Sequence, residues 1–459
     1  MKTLYFLGIG GIGMSALARY FHTRGLRVSG YDRTPSPLTK ALETEGISIQ
    51  YTDEVGEDIT RMNPKETLVV LTPAVPADQP IYRWLREHGY DIRKRSEVLG
   101  LVTRQLRALC VAGTHGKTTT STLLAHLLHE SKISTNAFLG GISQNYGSNL
   151  LLDPKSDLVV VEADEYDRSF HRLTPYMSVI TSIEPDHLDI YGTAAAYQES
   201  FDHYASLVSD TIVLKKGFEL HGASCRTLTY SGCEPADFYA DRIRVEDGAI
   251  RFDFHSTYPK PTVIRDMQLG VPVWVNIENA VAAMSIALMN GVSAEELKAG
   301  LASFRGVYRR FNIHLNTPQI AYIDDYAHHP TELNASIESI RKIYPQREAI
   351  GIFQPHLFTR TRDFADDFAA VLSQFDRLIL LPVYPARELP IAGVNSEWLM
   401  EKCRKANPKC EVEVVEKVNL TDHIRRMVNA DGKAKVVMSL GAGDIDRLVG
   451  DLTRTLQQP

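Results

Sequence analysis

The chain has 459 residues, with 50 Lys+Arg against 56 Asp+Glu for a formal net charge of −6. That length allows two to four domains, and 44% hydrophobic against 23% charged residues is a globular composition with material for several cores. The mild acidity excludes a general electrostatic pull toward nucleic acid or anionic membrane. No apolar run reaches the ~18 residues that a membrane-spanning helix needs.

Residues 3–9 read as a strand, 12–24 as a helix and 26–31 as a second strand ending at Asp32. Lys2, the apolar stretch and Ala16-Leu17-Ala18 faintly imitate a secretory signal, but Gly8, Gly10, Gly11 and Gly13 interrupt it. Those glycines instead fit GxGxxG between strand and helix, with Asp32 about 20 residues further on. Glycine lets the backbone approach a diphosphate, and the helix start offers unpaired N–H groups. From this motif alone three readings stay open: NAD, another nucleotide diphosphate, or a tight turn without a ligand. Residues 67–71 form another strand, closed by Thr72-Pro73.

A new unit begins near residue 105. The strand 108–111 runs into Gly113-Thr114-His115-Gly116-Lys117-Thr118-Thr119, a shortened phosphate loop that opens a helix. Its backbone can cradle phosphates, Lys117 can reach the β and γ oxygens, and a Thr hydroxyl can ligate Mg²⁺. ATP binding is the expectation. Glu162 ends the strand 157–161, where a phosphate-loop enzyme holds magnesium; a solvated acidic turn is the bland alternative. Glu184-Pro185-Asp186-His187 ends the strand 178–183. A neutral His187 could ligate a second metal or orient water, or could be a buried, hydrogen-bonded histidine. Residues 210–275 have short β-like stretches and many turn residues, and read as an antiparallel insertion. A helix over about 276–290 follows.

The third unit starts near 314, with strands at about 320–324, 348–353, 377–383 and 435–440. Arg309-Arg310 precede it and could stabilise a transferring phosphoryl group or stand exposed. Asp324-Asp325-Tyr326-Ala327-His328-His329 ends one strand, and Gln354-Pro355-His356 with Arg360 and Arg362 follows another. A guanidinium grips a carboxylate with two parallel bonds. The alternation of strands and helices predicts an α/β fold with parallel sheets, whose ligands bind beyond the carboxyl ends of the strands. The polar clusters at those ends predict one reaction site in a cleft between domains. The five cysteines, Cys110, Cys225, Cys233, Cys403 and Cys410, are scattered without CxxC spacing. Reduced thiols in a cytoplasmic protein are the default.

GIGGIGMSALA, AGTHGKTTT, EADEYDRSF, EPDHLDIYG, FRGVYRRF, DDYAHHPTE and FQPHLFTRTRDFADDF stand in this order from Gly8 onward. Together they resemble the Mur ligases, the amino-acid-adding enzymes of bacterial peptidoglycan synthesis, and in particular the branch that adds L-alanine to UDP-N-acetylmuramate. The resemblance runs to about Gly443 and implies three domains. Residues 1–104 would be a Rossmann-like domain for the UDP sugar, 105–313 the ATPase with its small antiparallel insertion, and 314–459 a Rossmann-like domain closing over ATP and amino acid. It changes the first motif's ligand: Gly8, Gly10, Gly11, Gly13 and Asp32 would face the UDP-sugar diphosphate. Gly113 to Thr119, Asn276, Asn279, Asp325 and His328 would bind ATP. Thr118 or Thr119 and Glu162 would hold a first Mg²⁺ and His187 a second, with Mn²⁺ as a possible substitute. Lys117, His187 and Arg310 would serve catalysis, and Tyr326, His356 and Arg360 the alanine pocket. The partners implied are small molecules, with monomer and homodimer both open.

Three departures from the family pattern stand out. Val275 occupies a position that is usually His before Asn276, and Leu357 one that is often Arg after His356. No Lys occurs from His187 to Val213, so the carbamylated lysine of several sister ligases is not expected. The alternative within the family is the recycling ligase, which joins a whole tripeptide to the same sugar nucleotide and shares AGTHGKTTT. Outside it, a NAD oxidoreductase leaves the phosphate loop unexplained.

Overall fold

The computed structural model describes residues 2–186, 188–246, 249–386, 388–430 and 432–457. His187 lies outside them, so nothing follows here about its expected metal role.

Three sheets follow one another along the chain. The first contains β1 (Thr3–Leu7), β2 (Arg27–Tyr31), β3 (Ser48–Gln50), β4 (Thr67–Leu71) and β5 (Asp91–Lys94) in the order β3-β2-β1-β4-β5. All four pairings are parallel. β1 reads as a continuous apolar run because helices cover both faces of a parallel sheet. The glycine loop follows β1 where the strand order reverses, the usual place for a ligand crevice.

The second sheet contains β6 (Arg107–Ala112), β7 (Asn136–Ser143), β8 (Ser148–Leu151), β9 (Leu158–Glu162), β10 (Pro175–Ile180), β11 (Thr211–Lys215), β12 (Arg226–Ser231), β13 (Phe238–Glu246), β14 (Ala249–Ser256) and β15 (Thr262–Gln268). Their order is β15-β14-β13-β12-β11-β10-β6-β9-β7-β8. This corrects the start of the expected antiparallel insertion. β11 pairs in parallel with β10, β12 with β11, and β13 with β12, so residues 211–231 continue the main sheet. The antiparallel pair β7–β8 lies at the opposite edge.

The third sheet contains β16 (Asn312–Asn316), β17 (Ile320–Asp325), β18 (Glu348–Phe353), β19 (Arg377–Leu380), β20 (Glu411–Val414) and β21 (Lys435–Leu440), in the order β16-β17-β21-β18-β19-β20. It is parallel apart from β16.

The chain forms two compact units. One comprises Met1–Ile243, Phe252–Gln268 and Glu278–Arg305, and the other Arg244–Arg251, Leu269–Ile277 and Gly306–Pro459. The first sheet and the second, apart from Arg244–Arg251 of β13 and β14, thus belong to one unit and share an apolar core. Leu4, Phe6 and Leu17 cluster with Cys110, Phe138, Val159 and Phe170. Tyr20, on the helix after the glycine loop, meets Phe138 of β7 edge-on with centroids 5.2 Å apart. Arg19 donates to Asn149 at 2.9 Å, and Asn149 donates to Ser15 at 3.2 Å. Apolar burial and these buried polar bonds hold the glycine-loop helix against β7 and β8, which fixes the loop relative to the phosphate loop.

Candidate active site

The phosphate loop joins β6 to the helix Lys117–His129. Gly113 and Gly116 have φ of +129° and +81°, where a side chain is strained. Space forbids one as well: a Cβ at Gly116 would lie 2.8 Å from Asn279 Oδ1, and one at Gly113 2.8 Å from the Ser182 nitrogen. Thr114 donates its hydroxyl to the Glu184 carbonyl at 2.7 Å, and the His115 N–H reaches Ser182 Oγ at 3.0 Å. These bonds tie the loop to the end of β10. Thr120 donates to Asn279 Oδ1 at 3.2 Å, so Asn279 supports the loop from the helix Val275–Met289. Asn276 instead donates to the Val271 carbonyl at 3.4 Å.

Lys117 carries the charge of this loop. Its Nζ donates to the Gly113 carbonyl at 2.7 Å and the Thr114 carbonyl at 3.2 Å, and lies 2.7 Å from Glu165 Oε2. Burial alone would favour the neutral amine, but the carboxylates of Glu165, Asp164 and Glu162 outweigh it and raise the lysine's pKa. Glu165 is 2% exposed, and burial pushes its pKa up to about 7 against the attraction of Lys117. Thr118 donates to Glu162 Oε1 at 3.1 Å, while Thr119 is partly exposed beside it. A Cβ at Gly140 of β7 would collide with the Glu162 carboxylate, so the glycine keeps open the space where that acid stands.

The glycine loop faces the same region. Gly8 has φ +83°, and a Cβ at Gly10 would lie 2.7 Å from Asp32 Oδ2. Asp32 accepts from the Gly10 N–H at 2.7 Å and the Thr34 N–H at 3.2 Å, so in this structure it braces the loop. A cavity of about 320 Å³ is lined by Gly11, Gly13, Arg95, Gly140, Glu162 and Asp164 among others. Arg95 leans over the helix start, 2.7 Å from where a Gly13 Cβ would stand, and its Nη2 lies 3.6 Å from Asp164. The cavity thus joins a helix N-terminus and a guanidinium on one wall to the acid beside the phosphate loop on the other.

In the second unit the polar residues gather at the ends of β17, β18 and β21. The adjacent arginines divide their roles. Arg309 is buried, donates to the Gly441 carbonyl at 2.6 Å and lies 3.5 Å from Asp324, which braces the strand ends. Arg310 places its guanidinium 5.1 Å from the centre of the Tyr326 ring and faces Asp325 electrostatically. His328 bonds to the Tyr326 carbonyl at 3.0 Å, and its ring lies 6.1 Å from that of His356. Burial lowers the His328 pKa; Glu332 opposes this, and Arg360 and Arg310 add to it. His356 stacks on Tyr384 at 5.7 Å. Leu357 caps the helix Phe358–Asp363 with φ +70°, a strained value for leucine. Thr359 donates its hydroxyl to Glu388 at 2.5 Å, which pins the first turn that carries Arg360.

Asp325 is buried, and burial pushes its pKa up to about 6 despite the Ser336 hydroxyl at 2.5 Å and the Arg310 charge. Its folded value lies above its unfolded one. Its ionisation therefore costs stability, nothing below about pH 4, increasing up to about pH 6, and constant above, on the order of 3 kcal/mol. Asp325→Asn keeps an acceptor for Ser336 and removes the charge. Thermal melts should show it gaining stability over wild type as pH rises from 4 to 7; a difference independent of pH would contradict the buried-charge account.

The structure brings together Gly113–Thr119, Glu162, Asn279 and the glycine loop in one unit, and Arg310, Asp325, Tyr326, His328, His356 and Arg360 in the other. Glu165, Arg95 and Asp164 were not singled out from the sequence. Glu165 stands in EADEYDRSF, but only the turn after β9 shows which of those acids meets Lys117. Arg95 lies in no motif at all.

Comparisons with known proteins agree across the chain. Residues 3–107 match the model of the Mur ligase family catalytic domain, 111–287 the Mur ligase middle domain, and 309–443 the Mur ligase glutamate ligase domain. A UDP-N-acetylmuramate–L-alanine ligase of Parabacteroides distasonis is 54% identical over 98% of this chain and 96% of its own length. One from Porphyromonas gingivalis is 52% identical over 100% and 99%. Among solved structures, the UDP-N-acetylmuramate–alanine ligase of Thermotoga maritima superposes with a TM-score of 0.82 at 26% identity, covering 99% of each chain. A murein peptide ligase of Psychrobacter arcticus reaches 0.67 at 22% identity, covering 100% of this chain and 99% of its own, a likeness of fold. With relatives this close over the full length, and with the phosphate loop and glycine loop built as described, the chain belongs to the Mur ligase family.

Proposed function

We propose that this protein is a cytoplasmic, ATP-dependent ligase that joins L-alanine to the lactyl carboxylate of UDP-N-acetylmuramate, releasing ADP and phosphate. The observation that carries the reading is the cavity shared by the glycine loop and the acids beside the phosphate loop. It offers a diphosphate-binding wall within reach of a phosphoryl-transfer loop, as a ligase needs and a NAD oxidoreductase does not. The full-length likeness to L-alanine ligases supports this substrate over the tripeptide of the recycling enzymes.

The chemistry follows from these groups. A carboxylate oxygen of the sugar's lactyl group attacks the γ-phosphorus of ATP, and ADP departs. Lys117, already oriented by the loop, faces charge that develops on the transferring group. The amine of L-alanine, having lost a proton to become a nucleophile, attacks the carbon of the acyl phosphate. Phosphate leaves with the original carboxylate oxygen, and an amide remains. An acyl phosphate hydrolyses in water, so the site must exclude it. The Thr118 hydroxyl and the Glu162 carboxylate are hard oxygen donors in a pocket that a Gly140 side chain would fill, a set that suits Mg²⁺. The ion would screen the phosphate charges; the reading of a second ion rests on His187. Arg310, Asp325, His328 and Asn276 are assigned to the nucleotide, and Tyr326, His356 and Arg360 to alanine.

Arg95 is assigned to the diphosphate of the sugar nucleotide. Arg95→Ala should raise the KM for UDP-N-acetylmuramate about 10-fold, the lower end for a charge-assisted contact because the residue is partly exposed, with the KM for ATP little changed. An unchanged sugar KM would remove Arg95 from the site. The assay for the whole proposal is phosphate release with ATP and UDP-N-acetylmuramate, comparing L-alanine, glycine, L-serine and the tripeptide. L-alanine should give the highest kcat/KM; a preference for the tripeptide would favour the recycling reading.

A further inference from the structure

Between the phosphate loop and the strand end of β9 lies a buried ion pair that the reaction, as written above, does not use. We propose that Glu165 is a positioning residue for phosphoryl transfer: it sets the Lys117 ammonium in place before ATP arrives.

An ammonium has three protons to donate. Here three acceptors meet Nζ: the Gly113 carbonyl at 2.7 Å, the Thr114 carbonyl at 3.2 Å and Glu165 Oε1 at 3.0 Å, with the other carboxylate oxygen 2.7 Å from the nitrogen. Both side chains are largely withdrawn from water, at 13% and 2% exposure. Lysine ends a flexible four-carbon stem and sheds its proton readily when buried. Two neutral carbonyls would fix neither its rotamer nor its charge. A carboxylate at ion-pair distance does both.

The backbone that carries the carboxylate is itself fixed. The Glu165 carbonyl accepts from the Tyr191 hydroxyl at 2.5 Å and from the Arg168 N–H at 2.9 Å. Asp167 and Arg168, the next residues but one, stand at φ of +50° and +53°. Consecutive non-glycine residues in that region are strained, and such strain persists where surrounding bonds over-determine it. Lys94 contributes one of those bonds, donating to Asp167 at 2.8 Å. Glu162, at the end of β9, meets Thr118, and three residues further on, just before the strained turn, Glu165 meets Lys117. ATP then encounters a desolvated cation already held at the loop, where one of its three bonds yields to a phosphate oxygen and the charge needs no further placement.

The inference rests on the ATP-site reading, and a double-mutant cycle separates the two. Glu165→Gln keeps shape and an acceptor but removes charge. In the full-length protein it should lower kcat for phosphate release about 10–100-fold while the KM values for UDP-N-acetylmuramate and L-alanine change less than about twofold. Glu165→Asp should recover part of the loss. If Glu165 acts through Lys117, the same change in a Lys117→Ala background should cost less than about twofold. It should also raise the melting temperature of that background at neutral pH, because it removes a buried acid that, without its partner, must take up a proton for the chain to fold. An equal loss in both backgrounds, or a wild-type kcat for Glu165→Gln, would overturn the positioning role while the ATP site stands. Near-normal turnover of Lys117→Ala would overturn both.

Discussion

Lys117→Ala is expected to lower ligase turnover about 10²–10³-fold or more, while binding of UDP-N-acetylmuramate survives. The substitution removes the one lysine of the phosphate loop, from the place where negative charge on the transferring group must be met. The glycine loop that is assigned to the sugar nucleotide stands after β1, and its bracing bonds through Asp32 do not involve Lys117. A second consequence follows from the ion pair. The variant leaves the Glu165 carboxylate buried without its cation, a change that typically costs about 3–5 kcal/mol when a buried charge loses its partner. Because Glu165 has a pKa of about 7 even with Lys117 present, it should respond by taking up a proton, which limits the loss. Turnover and a thermal melt separate the two effects. A variant with near-normal turnover would contradict the role given to the phosphate loop, whatever its stability.

The second large effect concerns alanine. The amino acid arrives as a zwitterion, and its carboxylate needs a cation in a partly dry site. Arg360 is the candidate, on a short helix whose first turn is pinned by Thr359 and Glu388. Its charge is felt at His328, which places it electrostatically near the assigned pocket. Arg360→Lys keeps the charge and loses the planar fork. The KM for L-alanine should rise about 10–100-fold, since a charge-assisted bidentate contact is worth about 1.5–3 kcal/mol, and the KM for ATP should change little. Leu357→Arg is the control. Leu357 already holds φ +70°, and arginine, unbranched at Cβ like leucine, adds no new backbone strain there. It should be tolerated and should tighten alanine binding if its guanidinium reaches the assigned pocket. An unchanged alanine KM for Arg360→Lys would move the carboxylate contact to His356, Arg362 or a backbone N–H cluster.

The parts of the site legible in the sequence are those where local geometry dictates residue type. Gly113 and Gly116 combine positive φ with no room for a Cβ, so GTHGKTTT is readable as a turn that wraps phosphate. Glu162 is readable because it ends an apolar strand. Pairings made across the chain are not readable in this way. Arg309 and Arg310 are adjacent and alike, and only the fold shows Arg309 tied to Asp324 and the Gly441 carbonyl. Arg95 reaches the glycine loop from β5's far end, with no spacing rule to announce it. The strands β11 and β12 were mistaken for an antiparallel insertion for the same reason. A short apolar run shows that it is a strand, but the direction of its neighbour is a property of the sheet. The glycine loop shows the limit of motif reading from the other side: its fingerprint is the dinucleotide one, and the ligand assignment turned on the resemblance of the ordered motifs to the Mur ligases.

The central claim is that ATP activates the lactyl carboxylate of UDP-N-acetylmuramate as an acyl phosphate before L-alanine attacks. The most direct measurement uses the sugar nucleotide with ¹⁸O in that carboxylate, with ATP and L-alanine, and follows the released phosphate by ³¹P NMR or mass spectrometry. One carboxylate oxygen becomes the bridge to phosphorus and leaves with it, so each phosphate released in amide formation should carry one oxygen derived from the carboxylate. Amide formed from L-alanine with label-free phosphate would contradict the acyl-phosphate route, and no amide with L-alanine at all would contradict the proposed function.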